Sequence, residues 1–449
     1  MPRTALQTWL SALRRRRVSV LIETLLALLV LWSVVKVALF FNNTGFLPQP
    51  YFFDSNDTFM DWFNVTVFAH NPGAYTQYDS VYPPLSFVTT GLFSTPSCYK
   101  YDAMYARSCD HVFAWAFLAF FVINTILTFE AFKRRDASIA LPRTLAISLG
   151  LPMLFGYERG QLAIIAFTFF VIAHGGAIRS KALRWFSNAM TINYKPYLIL
   201  TMLPYLAKRQ WRALEICAIS GIAIYALSYG IVGDGTPIEI IRNIQGFDQL
   251  PTITKFGNMF YQTSYKGVLD GLRSSFPFTT YLGSTPIELS LAIVPAIIAV
   301  GQLLSAACLI GAAWRPNAVP MHRLMALAIS IPLTSSLVGG YASIFLLFLV
   351  FMERWNGPTL TLAIVTAYLL SLSVELQLVP IARNTELSYL SGRLVDFEIG
   401  VNLGELVRPG LVLLIQFLLI TASFQEFWRA RHKHPLLGAA STQTEPASA

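Results

Sequence analysis

Residues 18–41 form a run dominated by apolar side chains that follows directly on Arg14, Arg15, Arg16 and Arg17. At about 1.5 Å of rise per residue such a run crosses a hydrocarbon core of roughly 30 Å as a helix. A cleaved leader has a shorter apolar core and a small-residue cleavage site, so this run predicts a retained first membrane helix with a cytoplasmic N-terminus. Backbone amides inside a bilayer find no water, which restricts the surrounding chain to helices that satisfy themselves.

The remainder of the chain repeats the pattern. It is 55% hydrophobic and only 13% charged over 449 residues, about half the charged share of a soluble domain. The net charge of +9 is spread in short basic clusters between apolar runs, which is a topology signal and not the continuous stripe that binds nucleic acid. The bilayer is therefore the expected partner, and no nucleic acid is.

Further long runs cover residues 112–132, 139–155, 162–178, 213–232, 289–314, 360–379 and 411–424. Two more stretches, 185–207 and 324–352, have basic residues at both flanks and are interrupted by Asn193-Tyr-Lys-Pro196 and by Ser335, Ser336 and Gly339-Gly-Tyr341. Each reads as a hairpin of two short helices. The expected fold is all-α and polytopic, about eight long spans plus four short helices, about 12 in total. Residues 85–93 are too few to cross, so residues 42–110 make one large outer loop, and 233–288 and 375–410 make two more. Residues 1–435 form a single membrane domain, and the Ser/Thr/Ala-rich tail 436–449 is expected to be disordered and cytoplasmic.

Cys217 and Cys308 fall in apolar runs and read as packing residues. Cys98 and Cys109 flank a polar outer segment, where either a loop-stapling disulfide or two free thiols fits.

Asp54, Asp57 and Asp61 stand immediately after the first span. Asp57 and Asp61 are four apart and would share a helical face, where like carboxylates split their proton affinities and keep one ready as a base. Capping of a solvated helix is the alternative, and Asp54 suits it best. Lys195, before Pro196 in an apolar hairpin, calls for a cavity, carboxylate or phosphate unless it snorkels to the interface. Glu158 and Arg159 lie at an outer helix end, either as a neighbouring ion pair or with Arg159 joining Lys195 in a phosphate clamp. In the second loop Gln262, Ser264 and Lys266 offer amide, hydroxyl and ammonium groups suited to sugar hydroxyls, as any polar loop would.

His70, His111 and His174 show no metal spacing. No cofactor is required, although a weakly held divalent cation at the aspartates is chemically compatible. Neither a phosphate-binding G-x-x-x-x-G-K-[ST] loop nor a dinucleotide glycine pattern occurs.

The order of the acidic first loop, Tyr82-Pro-Pro-Leu85, Glu158-Arg-Gly-Gln161, Lys195-Pro-Tyr197 and Gln262-Thr-Ser-Tyr-Lys-Gly267 resembles glycosyltransferase family 87 over residues 21–352. The resemblance implies a GT-C fold and inverting transfer of a hexose, mannose by preference, from a polyprenyl-phosphate donor to a glycolipid or envelope glycan. It further implies a bacterial plasma membrane, cytoplasmic termini and a site facing outside. It gives the base to Asp57 or Asp61, with Asp57 preferred by its spacing to Tyr75 and the Tyr-Pro-Pro segment. Lys195 and Arg159 would hold the donor phosphate, and Asp54, Tyr82, Glu158, Gln161, Tyr194, Gln262, Ser264 and Lys266 would surround the substrates. The family often has Asn where this chain has Gln161. A transporter or flippase of lipid-linked sugars would show repeat symmetry, and none is visible. A glycan polymerase or ligase would lean on Arg and His, and a scaffold would leave the carboxylates and Lys195 without a task.

Overall fold

A computed structural model describes residues 3–51, 57–247, 261–273 and 283–433. Asp54 and the tail 436–449 lie outside the described residues. Five helices are long and apolar enough to cross a membrane: α1 (Arg3–Thr44), α5 (Val112–Arg135), α11 (Trp211–Val232), α14 (Ser284–Trp314) and α18 (Leu403–Lys433). Their outward faces carry Leu25, Trp115, Ile222 and Leu303. An apolar surface of this extent requires lipid around it.

Between them run α2 (Met60–His70), α3 (Pro84–Leu92), α4 (Ala103–Cys109), α6 (Ala140–Ser148), α7 (Leu151–Glu158), α8 (Ala163–His174), α9 (Lys181–Tyr194), α10 (Leu203–Ala207), α12 (Pro237–Phe247), α13 (Lys266–Arg273), α15 (Met321–Ser335), α16 (Ser343–Phe351) and α17 (Pro358–Leu370).

Three of the eight expected long spans are therefore shorter. The 139–155 run breaks into α6 and α7 at Leu149 and Gly150, where a Cβ on Gly150 would sit 2.1 Å from the Ala146 carbonyl and Pro152 lacks the N–H a continuous helix would need. The 162–178 run stops at His174 before Gly175 and Gly176, the latter with φ +71°. The 360–379 run ends as a helix at Leu370. These short helices are apolar all round because protein surrounds them: α8 is buried along most of its length, and every residue of α16 is buried. Both hairpin stretches are pairs of short helices joined by a break, at Lys195 and at residues 336–342.

The chain is mostly helical, and its third loop adds one two-stranded sheet that was not expected. β1 (Gln377–Leu387) pairs antiparallel with β2 (Leu394–Asn402), Leu387 opposite Leu394 and Arg383 opposite Glu398. At the start of β2, Val395 and Phe397 are buried while Leu394 and Asp396 are exposed, the two-residue period of a half-covered strand. In the first loop Cys98 and Cys109 form a disulfide, Cα to Cα 5.6 Å. Beside it Asp110 accepts from the Thr95 amide and hydroxyl, both 3.1 Å, and from the Tyr99 hydroxyl, 2.8 Å.

One end of the bundle is closed by buried ions. Arg143 makes a two-pronged pair with Glu23, 2.8 and 2.7 Å, and Tyr368 donates to the same carboxylate, 2.9 Å. Arg323 pairs in the same way with Glu353, 2.6 and 2.8 Å, and reaches Glu426 at 2.9 Å. Arg135, Lys208 and Arg315 cap the backbone carbonyls of Met352, Val319 and Phe427 nearby. The helix α5 runs from this end, at Arg135, to the other end, where Phe113 packs on Phe59 and Trp62.

Candidate active site

The open end is built where the C-terminus of α7 meets the N-terminus of α2. Phe59 adopts a left-handed conformation, φ 64°, and α2 begins only at Met60. Asp57 thus precedes the helix, and the expectation that Asp57 and Asp61 share one helical face is replaced by a turn in which the Asp57 carbonyl accepts from the Met60 amide, 3.0 Å. Two backbone bonds lock this turn onto the other strand of chain: the Phe59 amide donates to the Glu158 carbonyl, 2.8 Å, and the Asp61 amide to the Arg159 carbonyl, 3.1 Å. Such close approach requires Gly160, φ +67°, where a Cβ would lie 2.8 Å from the Phe59 carbonyl oxygen.

This geometry turns Glu158 and Arg159 to opposite tasks, and no ion pair between the two neighbours is seen. The buried Glu158 carboxyl accepts from the Thr58 hydroxyl, 2.9 Å. Burial pushes its proton affinity up to about 8 against the Thr58 bond, so at neutral pH it holds a proton. Arg159 bridges both aspartates: Nη1 pairs with Asp57 Oδ2, while Nε and Nη2 reach Asp61 Oδ2 and Oδ1, each 3.3 Å.

Gln161 is the hub. Its Nε2 lies 2.9 Å from Asp61 Oδ2, 3.0 Å from the Tyr82 hydroxyl and 2.9 Å from the Tyr341 hydroxyl, two amide hydrogens spread over three acceptors. Its Oε1 accepts from Lys195 Nζ at 2.7 Å. Lys195 occupies the break between α9 and the 3₁₀ turn starting at Pro196, in extended conformation, and is buried. The ammonium lies 4.8 Å from the Tyr82 ring centroid and 5.5 Å from that of Tyr341, which offsets part of its desolvation. Burial raises the proton affinity of Asp61, opposed by the Lys195 charge and the Gln161 bond. Burial likewise lowers that of Lys195, opposed by Asp61.

Asp57, Asp61, Arg159, Gln161, Tyr82 and Lys195 thus converge, with Glu158 directly behind. Tyr194 does not join them: its hydroxyl bonds Thr89, 2.6 Å, and its ring stacks on Phe169. The second-loop residues form a support. Gln262 pairs with Gly339, the Ser264 hydroxyl donates to the Ser336 carbonyl, 2.8 Å, and the Lys266 amide bonds Ser264, 3.3 Å. They knit the loop to the segment that ends in Tyr341.

Tyr341 itself was not foreseen as a site residue. Its signal was a tyrosine after two glycines in an apolar hairpin, which reads as a helix break until the fold brings it beside Gln161. Among the described residues no group of three His, Cys, Asp or Glu side chains is placed to hold a metal ion. Comparison of the chain with protein-family models, with characterised proteins and with solved structures returned no match.

Proposed function

We propose that the chain is a membrane glycosyltransferase of GT-C type that moves a hexose, mannose by preference, from a polyprenyl-phosphate donor to a glycolipid or glycan acceptor. The observation that carries this reading is the single amide of Gln161, which ties a carboxylate, Asp61, to a buried ammonium, Lys195, while Arg159 bridges Asp61 to Asp57. A base and two cations stand together at one end of a membrane bundle. Transfer from a lipid phosphate needs these groups at one point.

Asp57 suits the base. One of its oxygens meets Arg159, and its side chain is 31% exposed against 22% for Asp61, so it can meet an acceptor hydroxyl. That oxygen attacks the anomeric carbon, its proton passes to Asp57, and the bond from the anomeric carbon to the phosphate oxygen breaks with inversion. The departing phosphate keeps the electron pair, and its charge is met by Lys195 and Arg159. The donor phosphate competes with Asp57 for Arg159, so that donor binding frees the base. Asp61, engaged through both oxygens, positions Arg159 and Gln161. With a guanidinium already between the carboxylates, the mechanism needs no metal. The basic residues at the closed end favour that end as cytoplasmic, which supports an outward-facing site.

The test is sugar transfer in membranes supplied with polyprenyl-phosphate-mannose, comparing the wild type with Asp57→Asn and Asp61→Asn. Full transfer by both variants overturns the mechanism. Failure of the wild type with every lipid-linked donor overturns the enzyme reading in favour of a transporter.

A further inference from the structure

Four residues, 233–236, separate the membrane-length helix α11 from α12. The start of α12 is strongly specified. The Glu239 carboxylate accepts from the amide and hydroxyl of Thr236, 2.7 Å each, the Thr236 hydroxyl accepts from the Glu239 amide, 3.4 Å, and Pro237 fills the first helical position.

Its two sides differ. On one, Ile240 is buried in the main core and Asn243 Nδ2 donates to the carbonyls of Tyr75, 3.1 Å, and Ser80, 3.0 Å. On the other, Ile238, Ile241 and Ile244 recur every third residue with exposures of 63, 54 and 41%. Three large aliphatic side chains on so short a helix are costly in water. They follow, across the short 233–236 turn, on Leu227 and Ile231, which are exposed at the end of the membrane-length α11, and Arg242 beside them is exposed, as a residue reaching lipid head groups is.

We propose that α12 lies in the membrane interface with Ile238, Ile241 and Ile244 in lipid, and that through Asn243 it sets the position of Tyr82 at the mouth of the site. The occupant of the isoleucine face is the bilayer, because α12 begins four residues after a membrane-length helix whose end exposes Leu227 and Ile231, so the short turn keeps it at the membrane surface. The link inward is made of bonds. Asn243 holds both ends of the 75–80 segment, and the Tyr75 hydroxyl donates to the Tyr82 carbonyl, 2.7 Å. The Tyr75 ring packs so closely on Gly235, φ +105°, that a Cβ there would lie 2.3 Å from it. Tyr82 then places its hydroxyl at Gln161 and its ring by Lys195. Asn243 is a positioning residue, remote from the reacting atoms.

The test uses the full chain with Cys217 and Cys308 replaced by alanine, reconstituted in nanodiscs of phosphatidylethanolamine and phosphatidylglycerol. A nitroxide is placed singly through Ile238→Cys, Ile241→Cys, Ile244→Cys, Arg242→Cys and Gly246→Cys. Collision with oxygen exceeds collision with a water-soluble nickel chelate at the three isoleucine positions, and the order reverses at 242 and 246. Free access of the chelate to the isoleucine positions overturns the proposal, and so does shielding from both reagents, which would mean a second copy or another protein. Separately, Asn243→Ala and the isosteric Asn243→Asp, which cannot donate, speed amide exchange across residues 75–82 about tenfold with an unchanged melting temperature. Unchanged exchange in both variants overturns the link to Tyr82.

Discussion

The two ends of the bundle both bury charge, and they do so in different ways. At the closed end each carboxylate meets its arginine directly. Burial alone would raise Glu353, yet the bonds and charges of Arg323 and His322 bring it down to about 2. At the open end, where Arg159 pairs directly with Asp57, the balance at Asp61 falls the other way: the nearest ammonium reaches it only through the amide of Gln161, and its arginine contacts are long at 3.3 Å. Burial therefore wins at Asp61 and its proton affinity rises. Short two-pronged pairs fix an ion for good, whereas an interposed amide keeps charges close without quenching them. The closed end is a clasp and the open end is a site.

The largest expected effect tests the clasp. Arg143→Met leaves Glu23 buried without its partner and costs about 3–5 kcal/mol, seen as loss of folded protein and faster thermal inactivation in nanodiscs. Normal stability in that variant would erase the distinction between the ends. Next, Asp57→Asn lowers kcat about 10³-fold with melting unchanged, while Asp61→Asn lowers kcat about tenfold and raises KM for the donor. If the two variants swap these values, Asp61 is the base. Lys195→Met, which removes the proposed phosphate contact, lowers kcat/KM about 10²-fold and leaves the closed end as stable as before.

Much of this contrast was written in the sequence, for uneven reasons. Lys195 and the aspartates announced themselves because charge next to apolar runs is costly, and the helix breaks at Lys195 and Gly339 followed from proline and glycine. Three expected long helices are shorter in the structure, because an apolar run looks the same whether lipid or protein covers it. The helix α8 is apolar for the second reason. The strand β2 was legible in the alternation of Val395, Phe397, Ile399 and Val401, but a polar loop between helices drew the reading away from it. Pairings across long separations were not legible: Tyr341 lies 180 residues from Gln161 and Glu23 lies 120 from Arg143. Glu23 and Arg143 stand out locally as charges inside apolar runs, but nothing local says which distant partner each residue meets.

The comparison sharpens further through pH. Glu158 sits behind the site with its folded proton affinity raised to about 8 from an ordinary 4.5. Its proton stays on in the folded state and leaves in the unfolded state between those values, so its stabilisation is full below about 4.5 and is lost as pH rises towards 8. Glu158→Gln has no such ionisation. The variant therefore gains on the wild type by on the order of 3–4 kcal/mol between pH 5 and 8, read from thermal unfolding at several pH values. Glu353 runs the opposite way. With its affinity lowered to about 2, its stabilisation is present above about 4.5 and is lost as pH falls towards 2. The open end thus weakens in base and the closed end in acid, and a Glu158→Gln gap that stays flat with pH would mean that Glu158 is ionised and that the site holds its charges as tightly as the clasp does.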